Sequence, residues 1–162
     1  MIRSVNLLDI EAIKNLLNYY VKNTNVNSDE NPYTSEKIKL KIEDVLKKHE
    51  WFIFLDEDSN ELLGYAYAST FRPKKAYDKT VETSVYVKND CVGRGIGFAL
   101  YQCLFSALKR RGFKTAIAVV EANNIPSIKF HTKYGFKEVG TVENVGEKFG
   151  VEYSLTSMQI ML

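Results

Sequence analysis

The chain has 162 residues, enough for one compact domain, and 22 Lys plus Arg against 20 Asp plus Glu leave a formal charge of +2. That near-balance excludes a dedicated nucleic-acid or membrane-surface binder, which carries a concentrated basic excess. With 45% hydrophobic and 26% charged residues, wholesale disorder is excluded as well.

From the N-terminus, IRSV (2–5) reads as a short strand. Ile10, Ile13, Leu17, Tyr20 and Val21 then recur at helical spacing within LLDIEAIKNLLNYYVK. No secretory apolar region or cleavage site opens the chain, so a cytoplasmic protein is expected. NTNVNSDENPY (23–33) is a polar loop. Ser35 is the expected cap of a second helix carrying Ile38, Ile42, Val45 and Leu46 on one face. WFIFLD and ELLGYAYASTF read as strands around the turn DEDSN, and TVETSVYV (80–87) as another. FALYQCLFSALKRR is an amphipathic helix ending at Gly112, and AIAVV a strand buried on both faces. NIPSIKFHTKYG gives a short helix, and FKEVGTV and YSLTSMQIML close the chain as strands. The longest apolar runs, WFIFL and AIAVV, hold five residues each, against about 20 for a membrane span. The order β-α-α-β-β-β-α-β-α-β-β predicts one α/β (α+β) domain over residues 1–162, built on a central mixed sheet.

Between strand 80–87 and the following helix, Gly93, Gly95 and Gly97 fall within five residues. Glycines let the backbone enter positive φ and let a ligand approach closely. The helix start adds unpaired N–H groups and the positive end of its dipole, a site for phosphate or pyrophosphate. No Gly-Lys pair occurs, which excludes a Walker loop. Phe98 stands where a dinucleotide fingerprint needs its third glycine. Cys91 and Cys103 with His49 and His131 lack metal-ligand spacing, and two cysteines make no disulfide framework.

The segment VGRGIG (92–97) resembles the acetyl-CoA pyrophosphate loop of the GNAT N-acetyltransferases, usually [QR]xxGx[GA]. FRPKKAYDKTVETSVYV, NNIPSIKFHTKYGF and VGEKFG narrow the resemblance to the phosphinothricin N-acetyltransferase branch, from about residue 3 to the C-terminus. It implies the GNAT acyl-CoA N-acyltransferase fold, with a mostly antiparallel mixed sheet flanked by helices. It also implies acetyl-CoA as co-substrate without a metal, a small-molecule amine as acceptor, and a homodimer. Val92 departs from the pattern at the Gln or Arg position. Backbone donors from Gly93, Arg94, Gly95, Ile96, Gly97 and Phe98 are expected to hold the pyrophosphate, with the Arg94 side chain supplying charge.

Acetyl transfer from a thioester to an amine requires proton loss from the amine, stabilisation of an oxyanion, and a partner for the departing thiolate. Glu82 lies in a strand otherwise apolar and hydroxylic, where desolvation would raise its pKa toward that of a useful base. The pattern alone favours a solvent-facing carboxylate; the resemblance reverses this and makes it the general base and an acceptor contact. The resemblance also implies that Val85, Tyr86 and Val87 pair with the pantetheine arm like an added strand. In N-x-x-S-x-x-F-H-x-x-x-G-F, His131 falls where many GNAT enzymes have a Tyr that protonates the thiolate. It is therefore expected as general acid or thiolate partner. Asn124 matches the Asn holding the pantetheine amide, with Ser127 near the helix start; capping would also explain Asn124.

On the acceptor side the resemblance points to Arg72, Tyr77, Lys148 and Phe149, where cations would meet a second anionic group on an amino-acid-like substrate. The family motif NTxATFDxxP is degraded here to NTNVNSDENP, with Ser28 at the Phe position, and Glu152 and Ser154 replace the Trp and Asp that usually follow KFG. Phosphinothricin, methionine sulfone and methionine sulfoximine are the expected type of acceptor. The alternatives are a polyamine or peptide acceptor, or an acyl-CoA sensor without catalysis.

Overall fold

A computed structural model describes residues 1–162. The strands are β1 (Ile2–Ser4), β2 (Trp51–Leu55), β3 (Leu62–Thr70), β4 (Thr80–Val87), β5 (Thr115–Glu121), β6 (Lys137–Lys148) and β7 (Val151–Met161). The helices are α1 (Ile10–Asn23), α2 (Ser35–Lys48), α3 (Ile96–Arg110) and α4 (Ile125–Tyr134). All seven strands form one sheet in the order β1-β2-β3-β4-β5-β7-β6. Every neighbouring pair is antiparallel except β4–β5. The parallel pair is possible because α3 carries the chain back to the starting end of the sheet.

Each face of the sheet is covered by a different helix pair. On one face α3 presents Ile96, Leu100, Tyr101, Leu104, Phe105 and Leu108 to Ala66, Ala68, Val81, Ala116 and Ala118. The small strand residues let this helix lie close to the sheet. On the other face α1 and α2 pack Ile13, Leu17, Val21, Ile38 and Ile42 against Trp51, Ile53, Tyr65 and Tyr67. These are the helix faces that the 3.6-residue spacing predicts, except that Leu46, expected on the α2 face, is exposed; so is Val119 of β5, a strand expected to be buried on both faces. No helix is long and apolar enough to cross a membrane.

Of the boundaries that differ from expectation, three have a clear physical cause. Thr34, not Ser35, caps α2, its hydroxyl accepting from the Lys37 amide at 3.2 Å. Helix α3 begins at Ile96, two residues earlier than expected, with Gly95 as its cap. Strand β6 runs to Lys148, although its expected end is Val142. Its register shifts at two places, and Asn144 adopts φ 46°, so the period-2 signal is lost.

Candidate active site

Strands β4 and β5 pair only from Thr80↔Thr115 to Glu82↔Ile117. From Thr83 to Val87, β4 has no neighbour on that side, while β5 continues toward Glu121 against β7. The sheet therefore splays, leaving a free backbone edge on β4 whose groups need partners. Val81, Val85 and Val87 pack toward α3 and Tyr86 toward α1 and α2. Alternation puts Glu82 and Ser84 on the Tyr86 face and Thr83 on the α3 face. Glu82, paired across β3 with Ser69, is half-buried and makes no hydrogen bond, and burial pushes its carboxyl above the ordinary range.

The glycine loop lies just beyond the free edge. Gly93 and Gly95 have φ of 86° and 80°, a region that costs any residue with a Cβ, and neither has a neighbour within 4 Å of its Cβ position. Gly97 has a different task. A Cβ there would meet the Phe130 ring at 3.3 Å, so this glycine lets α3 and α4 approach. The amides of Gly93, Gly95, Ile96, Gly97 and Phe98 donate to no carbonyl in the chain, at the positive end of a helix of 15 residues. That donor set fits a pyrophosphate. Val92 is exposed, and the Arg94 guanidinium turns back to within 3.4 Å of Cys91 Sγ. Gly95→Ala is expected to weaken acetyl-CoA binding by roughly 5- to 100-fold through backbone strain of about 1–3 kcal/mol, read by calorimetry.

Helix α4 brings the remaining polar groups to the α3 face of the splay. Asn124 caps it, its side-chain oxygen accepting from the Ser127 amide at 3.2 Å, which leaves its NH2 group free to donate. His131 is buried. Its Nδ1 lies 2.8 Å from the Ser127 carbonyl and 3.3 Å from the Ser127 hydroxyl, and its Nε2 lies 3.0 Å from the Tyr101 hydroxyl. Burial holds its pKa below the ordinary value, partly opposed by the Ser127 carbonyl. Glu82 and His131 therefore approach the splay from opposite faces of the sheet.

The α1/α2 face forms an aromatic wall. Trp51 stacks on Tyr67 at 4.4 Å, Tyr65 lies 5.3 Å from Tyr86, and Tyr20 packs 5.4 Å from Tyr86. Asn27 donates to the Tyr86 hydroxyl at 3.2 Å and so ties the 24–34 loop to β4. Arg72, on the exposed segment that leads into β4, lies over the Phe71 and Tyr77 rings at 5.2 and 5.8 Å. Phe149 stands exposed at the β6–β7 turn with φ 56°.

Lys148 requires a correction to the expected acceptor contact. It is 1% exposed, and its ammonium donates to the carbonyls of Val21, Thr24 and Asn27 at 2.7, 2.9 and 2.6 Å. All three protons are engaged by the chain itself, at the C-terminal end of α1. Burial lowers its pKa. Lys148 is a strut between the β6–β7 turn and the loop, not a free cation facing a substrate.

Sequence reasoning missed Tyr101, Thr83 and Asn27. Tyr101 occupies a core position of an amphipathic helix, where an aromatic ring needs no further explanation; only its hydroxyl, which must find a partner when buried, was a signal.

Comparison with known proteins adds to this geometry. The family model described as an acetyltransferase (GNAT) domain matches residues 2–156. A phosphinothricin N-acetyltransferase of Streptomyces coelicolor is 38% identical over 144 residues, spanning 88% of this chain and 84% of the relative. An L-methionine sulfoximine/L-methionine sulfone acetyltransferase of Pseudomonas paraeruginosa is 32% identical, spanning 99% of this chain and 94% of the relative. Among solved structures, a GNAT superfamily phosphinothricin acetyltransferase from Sinorhizobium meliloti in complex with AcCoA superposes with a TM-score of 0.95. It is 30% identical, with 100% of this chain and 88% of that one covered.

Proposed function

The chain belongs to the GNAT acetyltransferase family, and we propose that it transfers an acetyl group from acetyl-CoA to the α-amine of a small amino-acid-like acceptor. The observation that carries this reading is the splay, an open strand edge with an unpaired, half-buried carboxylate on one face and a buried imidazole on the other. Acetyl-CoA, when bound, supplies the activated acetyl group. Amides of Gly93 and of residues 95–98 hold its pyrophosphate, whereas the Arg94 amide, expected among the donors, faces the Cys91 carbonyl. The free backbone groups of Val85 and the Val87 amide pair with the pantetheine arm, and the Asn124 NH2 and Ser127 orient it; the expected share of Tyr86 falls away because its backbone faces β3, and the Val87 carbonyl already accepts from the Tyr20 hydroxyl. Glu82 accepts a proton from the acceptor ammonium, its raised pKa bringing it closer to that donor. From the opposite face, the imidazolium form of His131 gives its Nε2 proton to the departing thiolate and returns to the neutral ring. The transfer is direct, within one ternary complex.

Because Lys148 is engaged elsewhere, Arg72 is left as the cation for an acceptor's carboxylate or phosphinate, with Tyr77 and Phe149 as its apolar walls. Arg72→Met is expected to raise KM for an anionic acceptor by roughly 10- to 100-fold, the worth of a charge-assisted hydrogen bond, with little effect on KM for acetyl-CoA. The exposed Val139, Val142, Val145 and Val151 along and beside edge strand β6 support a homodimer. The free thiols of Cys91 and Cys103 suit a cytoplasmic protein. Coenzyme A release in the presence of methionine sulfone, methionine sulfoximine, phosphinothricin, polyamines and peptides tests the whole reading. Release with an amino-acid analogue supports it; release with polyamines or peptides alone assigns a different acceptor, and binding without any release makes the protein a sensor.

A further inference from the structure

The Tyr101 ring lies within the α3-side core, where Phe105, Phe130 and Phe136 surround it at centroid distances of 4.8 to 5.9 Å. A phenylalanine would fill that space. The hydroxyl is fully buried, and its one well-formed hydrogen bond is the 3.0 Å contact to His131 Nε2; the Thr83 hydroxyl stands off at 3.5 Å. On the other side of the ring, Nδ1 faces the Ser127 carbonyl at 2.8 Å. A carbonyl oxygen only accepts, so the Nδ1 position carries a proton. In the neutral ring Nε2 then has a lone pair, and Tyr101 O–H donates to it. We infer that Tyr101 is a positioning residue for His131: with the Ser127 carbonyl holding Nδ1–H, its hydroxyl occupies the Nε2 lone pair and keeps the imidazole neutral and oriented at the edge of the splay.

A hydrogen bond donated to Nε2 exists only while the imidazole is neutral, so it opposes protonation in the same direction as burial. The groups packed against the pair add no charge to counter it. They are Tyr134 on α4, with Cys103 of α3 near it, Phe130 and Phe136, and Thr83 on β4. Tyr67 bears on Tyr101 from the far face of the sheet. No carboxylate reaches either nitrogen. The link to catalysis rests on the proposed role of His131, whereas the protonation state of the ring and its control by Tyr101 do not.

The chain contains only two histidines, so nitrogen-15 NMR of the intact protein resolves the ring signals, with His131→Asn as the assignment reference. The wild type is expected to show the Nδ1–H pattern for His131 at neutral pH and a titration midpoint below that of a free imidazole. Tyr101→Phe, which keeps the ring, is expected to leave the Nδ1–H form in place, because the Ser127 carbonyl still holds it, and to raise the midpoint by about half to one pH unit. The KM for acetyl-CoA should stay unchanged. An Nε2–H pattern in the wild type, or a midpoint that Tyr101→Phe does not move, overturns the inference, and the first result needs no variant at all. If the midpoint moves and the pH profile of kcat moves with it, both the positioning role and the thiolate role of His131 stand. If the midpoint moves while the profile does not, Tyr101 still positions His131, and His131 loses its place in the reaction.

Discussion

Glu82→Gln is expected to lower kcat by about 10²- to 10⁴-fold, the usual contribution of a general base, while leaving the dissociation constant of acetyl-CoA unchanged. The same change should stabilise the fold at neutral pH. Burial raises the Glu82 pKa in the native protein above its unfolded value, so the folded state holds this proton more tightly. Its contribution to stability is then fully present below the unfolded value of about 4.3 and lost as pH rises through the higher folded one. At pH 7 the wild type carries the cost of an ionised, half-buried carboxylate without a hydrogen bond, which glutamine removes. Denaturant midpoints above wild type at pH 7, converging with wild type below pH 4, are the expected signature. The acid limb of the wild-type rate profile, set by protonation of Glu82, should disappear from the residual activity. Full turnover in Glu82→Gln with a good acceptor would remove the carboxylate from the base role.

Lys148→Met has the largest expected effect on stability, a loss of about 2–5 kcal/mol measured by chemical denaturation. Methionine matches the stem in length but leaves the carbonyls of Val21, Thr24 and Asn27 without their shared donor. The desolvation cost of the ammonium offsets part of each lost bond, which keeps the total below three full charge-assisted hydrogen bonds. Damage should spread to the acceptor rather than to acetyl-CoA, because Asn27 links the same loop to Tyr86 on β4. A variant with wild-type stability and a raised KM only for anionic acceptors would return Lys148 to the substrate.

Element order and the anion loop were legible because local chemistry dictates them. Helical spacing marks α1 to α3, and clustered glycines followed by an amphipathic stretch mark a strand-to-helix turn. The separate duties of those glycines were not legible: Gly93 and Gly95 supply positive φ, whereas Gly97 makes room for Phe130, a residue more than thirty positions away. Lys148 was misread for a related reason. A cation beside a recognised turn looks available for ligands, and only the tertiary arrangement reveals that the end of α1 and the loop after it take all its protons. The Glu82 strand could be read as a strand, but which face the carboxylate occupies depends on the register with β3.

The open edge of β4 also bears on how the protein persists. Between Thr83 and Val87 the native sheet lacks the neighbour that would complete it, so part of its backbone is solvated like that of an edge strand deep inside the molecule. Under the proposed function, an acyl-CoA arm lying along that edge would act as a missing strand, with no counterpart site in the unfolded chain. Saturation at a hundredfold excess over Kd would add about 2.7 kcal/mol to the folding free energy. The lifetime of the polypeptide would thereby be coupled to the supply of its co-substrate.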